Sequence, residues 1–189
     1  MPFTFEKTEI PEVIVVAPRL FSDKRGYFFE SYKRSEFVAV GIIDEFRQDN
    51  ASVSRKNVLR GLHFQNSPYA QAKLVRVTSG RILDVAVDIR KNSPYFGKHV
   101  IVELSAENRK MLYIPVGFAH GFAALEDNTE INYKVTNEYC KEAESGIIWN
   151  DAQLNIVWGI ENPIIVDKDL ELLPLNQANI HFQQEQRLR

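Results

Sequence analysis

Cysteine is nearly absent from this chain of 189 residues, in which Cys140 is the only one. A single cysteine excludes an internal disulfide framework and a cluster of cysteine ligands around a metal, and such usage is typical of a reducing compartment. Long apolar runs are lacking too, since no stretch approaches the roughly 20 residues that cross a bilayer. The first residues have neither the basic start nor the apolar core of a secretion signal. We therefore expect a soluble, cytoplasmic protein.

An excess of basic charge is also missing. The chain has 23 Lys and Arg against 25 Asp and Glu, which gives a net charge of −2. Nucleic-acid binding needs a basic surface that releases counterions, so we expect no nucleic-acid partner and no membrane partner. The Gly-rich phosphate loops of Rossmann and P-loop folds are absent, which excludes a dinucleotide bound through them. Without repeats or linkers, residues 1–189 are predicted to form one domain, with a mobile polar tail from about residue 176.

Short β-like runs separated by Pro and Gly turns dominate the chain. They cover residues 13–17, 27–32, 46–54, 74–78, 81–89, 99–104, 110–114, 119–125, 130–136 and 164–166. Helical patterns are confined to 35–40 and 167–172, and Asp167 suits an N-cap. Leu83, Val85 and Val87 alternate with Asp84, which is typical of a half-buried strand. The pattern predicts a mainly β fold, a cupin-type antiparallel jelly-roll barrel with a few short helices, whose strand-like N-terminal segment could pair with a second subunit.

Polar residues interrupt several of these strands. His63 lies in the strand-forming run 57–65, and Lys73 and Arg76 follow in 71–77, where apolar residues or Thr are usual in a half-buried strand. His120 follows a Pro-x-Gly turn, and Tyr133 lies in the next run. Such residues indicate a functional site inside the barrel.

The pattern of histidines argues against a metal. Metal-binding cupins present two His separated by one residue, then a Glu, and a further His after a Pro-x-Gly turn. Here His120 fits the second half, but Gln65 stands where the second imidazole of the first half would be. One His from each half is too few ligands for tight zinc or iron binding. We predict chemistry without a metal or any other cofactor.

Metal-free proton transfer suits the remaining residues. An isolated His63 would be interpreted as a core histidine, but Arg60 and Lys73 add cations and Tyr133 adds a phenol on the same strand face as Ile131. A base, a cation and a phenolic acid can remove a proton beside a carbonyl, stabilise the enolate and return the proton.

Residues 58–64, 73–76, 84–90, 114–122 and 146–151 resemble the dTDP-4-dehydrorhamnose 3,5-epimerase family, and the similarity runs from about residue 10 to about residue 175. The resemblance implies an isomerase that inverts C3 and C5 of dTDP-4-dehydro-6-deoxy-D-glucose, for cell-surface polysaccharide. It assigns His63 as the base paired with Asp169, Lys73 as the group that stabilises the enolate at O4, and Tyr133 as the acid on the opposite face. It also implies a homodimer.

The resemblance further implies residues that bind the dTDP-sugar. Arg suits a diphosphate because its guanidinium donates two parallel hydrogen bonds, and a flat ring such as that of Tyr139 can stack on thymine. The candidate binding residues are Phe21, Arg25, Glu30, Gln48, Asp49, Asn50, Arg60, His120, Tyr139, Glu144 and Lys168.

Strand geometry raises a difficulty, because Arg60 and His63 point to opposite faces of a regular strand. A bulge at Gly61 would shift the register by one residue and resolve it. For Asp169, a solvated or capping role is as plausible from the local pattern as a catalytic one. Asp84 is a rival carboxylate partner for an imidazole, His120 above all.

Three alternative functions stay open. A single-centre epimerase of the same fold would keep His63 and Tyr133 and differ only in pocket shape. A metal-dependent cupin enzyme would need the missing imidazole, and a non-catalytic sugar-nucleotide binding module would not need the set of His63, Lys73 and Tyr133.

Overall fold

A computed structural model describes residues 1–182 of the chain. Within them, thirteen strands, two short helices and one 3-10 turn at Lys141–Ala143 follow the chain. The strands are β1 (Phe3–Lys7), β2 (Ile14–Pro18), β3 (Phe21–Asp23), β4 (Gly26–Phe28), β5 (Gln48–Ser54), β6 (Leu59–Gln65), β7 (Lys73–Ser79), β8 (Arg81–Asp88), β9 (His99–Ser105), β10 (Met111–Ile114), β11 (Phe118–Ala124), β12 (Thr129–Val135) and β13 (Glu144–Gly146). The helices are α1 (Arg34–Ala39) and α2 (Asp167–Leu170).

Two antiparallel sheets form the walls of the fold. The six-stranded sheet has the order β1-β2-β10-β7-β12-β5, and the five-stranded sheet has the order β13-β6-β11-β8-β9. Apolar residues of both sheets, such as Val75, Ile131, Ile82 and Phe122, pack between them. The predicted mainly β, antiparallel architecture is confirmed, and no helix in this part of the chain is long and apolar enough to cross a membrane.

The outer faces of both sheets are covered as well. Phe37 of α1 packs against the outside of the six-stranded sheet, and the irregular segment 147–182 packs against the outside of the five-stranded sheet. Asp84 on one face of β8 and Val85 on the other are both fully buried. The alternation predicted for this strand is present, but the half-buried interpretation was wrong because a second core covers its outer side.

Residues 176–182 do not form the mobile tail that their polarity suggested. Ile180 and Phe182 are buried, and the ring of Phe182 packs edge-on against that of Phe64. The backbone carbonyl of Phe182 accepts a hydrogen bond from the Lys91 amide. Apolar packing and hydrogen bonds to Asn66 and Lys91 therefore dock this segment, and the rest of the predicted tail lies outside the described residues.

Several element boundaries also differ from the predictions. The run 27–32 is a strand only at Gly26–Phe28, which pairs with β3 in a separate two-stranded sheet. Residues 164–166 contribute a single bridge from Ile164 to Val58. Asp167 is the first residue of α2, whose N-cap is Val166 with no side-chain cap. The N-terminal strand β1 pairs with β2 of its own chain, at the edge of the six-stranded sheet.

Gly61 forms the predicted bulge in β6. His63 is opposite His120 and Arg60 is opposite Phe122, so two residues of β6 face one residue of β11. Gly61 has a φ of +126°, and a Cβ there would lie 2.5 Å from the Cα of Gly121. Only glycine allows this close approach of the two backbones.

We predict that Gly61→Ala destabilises the fold more than a matched glycine substitution elsewhere. Gly26 has a φ of +130°, but a Cβ there meets nothing within 4 Å. Gly26→Ala should cost only backbone strain, about 1 to 3 kcal/mol of unfolding free energy. Gly61→Ala adds a backbone clash and should cost at least about 1 kcal/mol more. Chemical denaturation measures both, and equal losses would contradict the bulge.

Candidate active site

The half-buried His63 and the buried Asp169 form a pair in the wall of the barrel. His63 Nε2 lies 2.8 Å from Asp169 Oδ1, and Asp169 Oδ2 accepts a 3.3 Å hydrogen bond from the Gly61 amide. Burial alone would raise the pKa of Asp169, but the hydrogen bonds from His63 and Gly61 and the positive charges nearby lower it. An ionised carboxylate only accepts hydrogen bonds, so Nε2 carries the proton and Nδ1 of a neutral His63 carries the lone pair. The contact with Asp169 therefore leaves Nδ1 of a neutral His63 unprotonated.

Lys73 brings an ammonium group to the same pocket. Its Nζ lies 3.4 Å from the carbonyl oxygen of His63, and the residue is only 8% exposed. Burial lowers the pKa of Lys73 to about 8, against the opposing effect of the negative charges of Asp84 and Glu144. Lys73 is therefore mainly in its ammonium form at neutral pH, although its pKa of about 8 lies only a little above neutral. A buried ammonium group of this kind gives its largest electrostatic stabilisation when a negative charge develops beside it.

His120 and Asp84 make a second imidazole–carboxylate pair. His120 Nε2 lies 2.6 Å from Asp84 Oδ1, as the sequence suggested, and both residues are buried. Burial lowers the pKa of His120, and Lys73 and His63 lower it further, while Asp84 acts in the opposite direction. Asp84 Oδ2 is buried with no hydrogen-bond partner in residues 1–182. The carboxylate charge therefore acts on the pocket as a whole, including Lys73.

Tyr133 faces His63 and His120 from the other sheet. It lies on β12 and packs against the core between the sheets, whereas His63 lies on β6 in the opposite wall. On the adjacent strand β7, Lys73 is directly opposite Val135, which follows Tyr133 by two residues. Lys73 and Tyr133 are therefore diagonal neighbours, whose α-carbons are about 7 to 8 Å apart. Burial raises the pKa of Tyr133, while Arg60 lowers it. The phenol is therefore protonated at neutral pH.

A polar group at the Lys73 end of the strands contains other candidate binding residues. The Tyr139 hydroxyl donates to Glu144 Oε2 at 2.9 Å, and Lys168 Nζ donates to Glu144 Oε1 at 3.3 Å. Gln48 accepts a hydrogen bond from the Tyr139 amide and donates to Asn50. Burial raises the pKa of Glu144, but the hydrogen bonds from Tyr139 and Lys168 outweigh it and lower the pKa overall.

Arg60 directly precedes the bulge, and its side chain reaches the end of β5 opposite to Gln48. Its guanidinium donates to Ser54 Oγ and to the Val53 carbonyl, both at 3.2 Å, and the residue is exposed. The bulge at Gly61 shifts the strand register between Arg60 and His63, so a regular pleat does not hold the two side chains on opposite faces.

Four candidate residues are not brought to this site within the chain. Asp49 points to the outer face of β5, where it pairs with Lys134 at 2.9 Å. Arg25 pairs with Asp23 at the tip of the separate β3–β4 sheet, and its side chain is 83% exposed. The remaining two, Phe21 and Glu30, lie in or directly after that sheet.

The β3–β4 sheet lies at the other end of the barrel. The centre of the Tyr27 ring lies 4.1 Å from the Arg109 guanidinium carbon, and Arg109 is two residues before the start of β10. Met111 of β10 is opposite Arg76 on β7, whereas Ile114 is opposite Lys73. The β3–β4 hairpin therefore contacts the chain near the ends of β7 and β10 that are farthest from Lys73.

Gln65 plays a part that the sequence did not indicate. It was interpreted only as a missing metal ligand, but its amide bonds to the backbone of Tyr69, Glu138 and Cys140. No local pattern could have revealed partners 73 and 75 residues away. Among residues 1–182 no group of three potential metal-ligating side chains occurs, and the absence of a metal from the reaction stays a prediction.

Comparison with known proteins gives consistent matches. The family model for dTDP-4-dehydrorhamnose 3,5-epimerase matches residues 7–177. The chain is 56% identical over 165 residues to dTDP-4-dehydrorhamnose 3,5-epimerase of Shigella flexneri, which covers 87% of this chain and 91% of that protein. The structure of the enzyme from Sulfolobus tokodaii matches with a TM-score of 0.90 and 47% identity, covering 97% of this chain and 100% of the other.

A second solved structure carries a bound sugar nucleotide. It is a dTDP-6-deoxy-D-glucose-3,5-epimerase from Legionella pneumophila in complex with dTDP-4-keto-L-rhamnose, with a TM-score of 0.89 and 43% identity over 93% of this chain and 94% of the other. Together the structural matches confirm the predicted cupin-type barrel.

We predict that Lys73 titrates near pH 8 and that Asp84→Asn lowers its midpoint. The substitution removes a negative charge that favours the ammonium form, while His63, His120 and Glu144 remain around it. Carbon-13 NMR of the lysine side chains can follow the titration, with Lys73 assigned by its loss in Lys73→Arg. In the denatured chain the same carbon should titrate near the ordinary value of 10.5. An ordinary midpoint in the folded protein would contradict the buried site.

Proposed function

Because the chain belongs to the dTDP-4-dehydrorhamnose 3,5-epimerase family, it is an isomerase with that activity, and we propose that its substrate binds between His63 and Tyr133. The proposed substrate is dTDP-4-dehydro-6-deoxy-D-glucose, with the sugar inside the barrel and the nucleotide toward Tyr139. The observation that carries the proposal is the placement of an oriented imidazole and a protonated phenol on opposite sheets.

His63 starts the reaction at a carbon beside the 4-keto group. Its Nδ1 lone pair takes the proton from C3, and the electron pair of the broken C–H bond moves into the C3–C4 bond as the C4=O electrons move to O4. The imidazolium that forms is stabilised by the adjacent carboxylate of Asp169, 2.8 Å from Nε2. The same step at C5 uses the same base once the sugar ring tilts, because both carbons flank C4.

Lys73 stabilises the enolate. The ketone oxygen of the substrate is neutral and the enolate oxygen is negatively charged, so a buried ammonium binds the intermediate more strongly than the substrate. Its single described hydrogen bond, to the His63 carbonyl, is 3.4 Å long. Lys73 thus has donor capacity left for O4.

Tyr133 completes the inversion. A proton delivered from the side that lost it would restore the starting configuration, so inversion needs an acid on the other side of the ring. The buried phenol of Tyr133 supplies the proton to the carbon and the electrons return from O4 to re-form the ketone. The protonated His63 and the phenolate then exchange a proton through the pocket or with solvent.

The binding of the nucleotide part has its own support. A relative of this chain is solved with a dTDP-sugar, and this chain likewise binds dTDP-sugars. Gln48, Asn50, Tyr139, Glu144 and Lys168 form the hydrogen-bonded group described above, and we assign them, with Arg60 and His120, to substrate binding. Asp49 is not included because it faces away.

We predict that His63→Ala and Tyr133→Phe divide the reaction into its two halves. In deuterated water the wild-type chain should place two deuterons in the product. His63→Ala should lose about 10²- to 10⁴-fold or more in exchange at both carbons, while dTDP affinity survives. Tyr133→Phe should still exchange deuterium into the substrate through His63 but form product slowly. NMR of the sugar protons measures exchange and product together.

The same experiment tests the alternatives. One deuteron in the product would indicate a single-centre epimerase, and no exchange with tight dTDP-sugar binding would indicate a binding module. Loss of activity on chelation, restored by a divalent ion, would indicate a metal-dependent cupin. Near-normal exchange in His63→Ala would remove His63 as the base and leave His120 as the next candidate.

We also propose that the chain is a homodimer in which the β3–β4 sheet of one copy completes the site of the other. Phe21, Tyr27 and Phe28 are exposed apolar residues on this small sheet, and such a cluster is typical of a contact surface. Within its own chain the sheet lies at the end of the barrel farthest from Lys73. In a twofold dimer, Phe21, Arg25 and Glu30 would reach the nucleotide in the second copy.

We predict that two inactive variants recover activity when mixed. In a dimer of an Arg25→Ala chain with a His63→Ala chain, one site receives both His63 and the Arg25 of its partner. Random reassortment should restore about a quarter of wild-type activity, because half of the dimers have one intact site. A mixture of Lys73→Ala with His63→Ala is the control and should stay inactive, since both residues lie in one barrel. No recovery with Arg25→Ala would contradict the exchange.

A further inference from the structure

The segment that carries Tyr139 has an unusual set of backbone partners. β12 ends at Val135, and residues 136–140 continue without helix or strand until the 3-10 turn at Lys141–Ala143. Backbone groups near a protein interior need hydrogen-bond partners, and an irregular segment must find them outside a ladder. Here the partners are the side chains of three glutamines.

Four consecutive residues are held in this way. Asn137 O accepts from Gln71 at 2.6 Å, and Glu138 O accepts from Gln65 at 3.3 Å. The Tyr139 amide donates to Gln48 at 2.9 Å, and the Cys140 amide donates to Gln65 at 2.7 Å. We call Gln48, Gln65 and Gln71 the amide clamp.

Gln65 is the centre of the amide clamp. The residue is only 5% exposed, and its Nε2 also donates to the Tyr69 carbonyl at 2.7 Å. Both amide protons and the amide oxygen are therefore used, and glutamine is the residue that offers two donors and an acceptor at this reach. A glutamate would keep only the acceptor and would face two carbonyl oxygens with a buried charge.

Gln65 of the amide clamp lies on the same strand as His63, the proposed base. Gln65 follows His63 by two residues on β6, so both side chains lie on the same face of the strand. One strand thus carries the base at one position and the anchor of Tyr139 at the next inward position. The distance between the sugar site and the nucleotide site is set by a rigid strand rather than by a loop.

We propose that Gln65, supported by Gln71, is a positioning residue that fixes the Tyr139 ring for nucleotide binding before substrate arrives. The inference rests on the proposed function, in which Tyr139 contacts the thymine base. A ring held in place before binding does not pay the entropy of ordering when the nucleotide arrives. Gln65 therefore affects affinity for the nucleotide and not the proton-transfer steps.

The test measures dTDP affinity and steady-state kinetics in Gln65→Glu and Gln65→Met. Both should weaken dTDP binding and raise KM by about tenfold, which corresponds to about 1.4 kcal/mol of lost preorganisation, with kcat within about threefold of wild type. Gln177→Glu makes the same charge change at an exposed residue and should leave both constants unchanged. A loss confined to kcat would overturn the proposal.

A double-mutant cycle with Tyr139→Ala separates this inference from the proposed function. If Gln65 acts through Tyr139, Gln65→Glu should cause little further loss of dTDP affinity in the Tyr139→Ala background. Full additivity would overturn the positioning role. If Tyr139→Ala alone leaves dTDP affinity unchanged, the assignment of Tyr139 in the proposed function fails instead.

Gln71→Ala tests the amide clamp without changing Gln65, its buried central residue. Gln71 is only partly buried, so its truncation should leave the fold intact while releasing Asn137. Thermal unfolding verifies folding of every variant. Should both Gln65 variants fail to fold, Gln71→Ala must still weaken dTDP binding in a way that depends on Tyr139, and unchanged affinity would overturn the proposal.

Discussion

The carboxylate of Asp169 stabilises two features of the site, the orientation of the His63 imidazole and the backbone bulge at Gly61. One oxygen accepts from the His63 imidazole and the other from the amide of Gly61 in the bulge. The bulge shifts the register between Arg60 and His63, and the imidazole bond sets which nitrogen of a neutral His63 is unprotonated. Loss of this carboxylate would therefore leave the Gly61 amide without its side-chain acceptor and the His63 imidazole without the partner that sets its tautomer.

The electrostatics of the pocket follow from the burial of groups of both charge signs beside one another. Asp84 and Glu144 oppose the burial that lowers the pKa of Lys73, and Asp84 opposes the burial that lowers the pKa of His120. Burial acts against every charge, so each group lies near a balance of opposing effects. In the proposed mechanism, such a balance suits a pocket that holds an enolate and then releases it, because an overly strong cation would trap the intermediate.

The sequence predicted those parts of the molecule that depend on local pattern. Alternation located most strands, and the conflict between Arg60 and His63 located the bulge. The prediction failed where distant chain segments decide the outcome: Ile180 and Phe182 docked a tail that composition marked as mobile, and a second core buried both faces of the strand at Asp84. Gln65 escaped notice because its main partners are backbone atoms, which carry no sequence signal.

The separation of His63 and Asp169 along the chain affects when the enzyme can first function. The two residues are 106 positions apart, and the segment that carries Asp169 follows all thirteen strands. During synthesis the imidazole leaves the ribosome long before its carboxylate does, and contacts of such high sequence separation form late in folding. In the proposed mechanism, a nascent or truncated chain that has its barrel strands but not Asp169 would therefore lack the carboxylate that orients His63, and competence for proton transfer arrives only with the segment that carries Asp169.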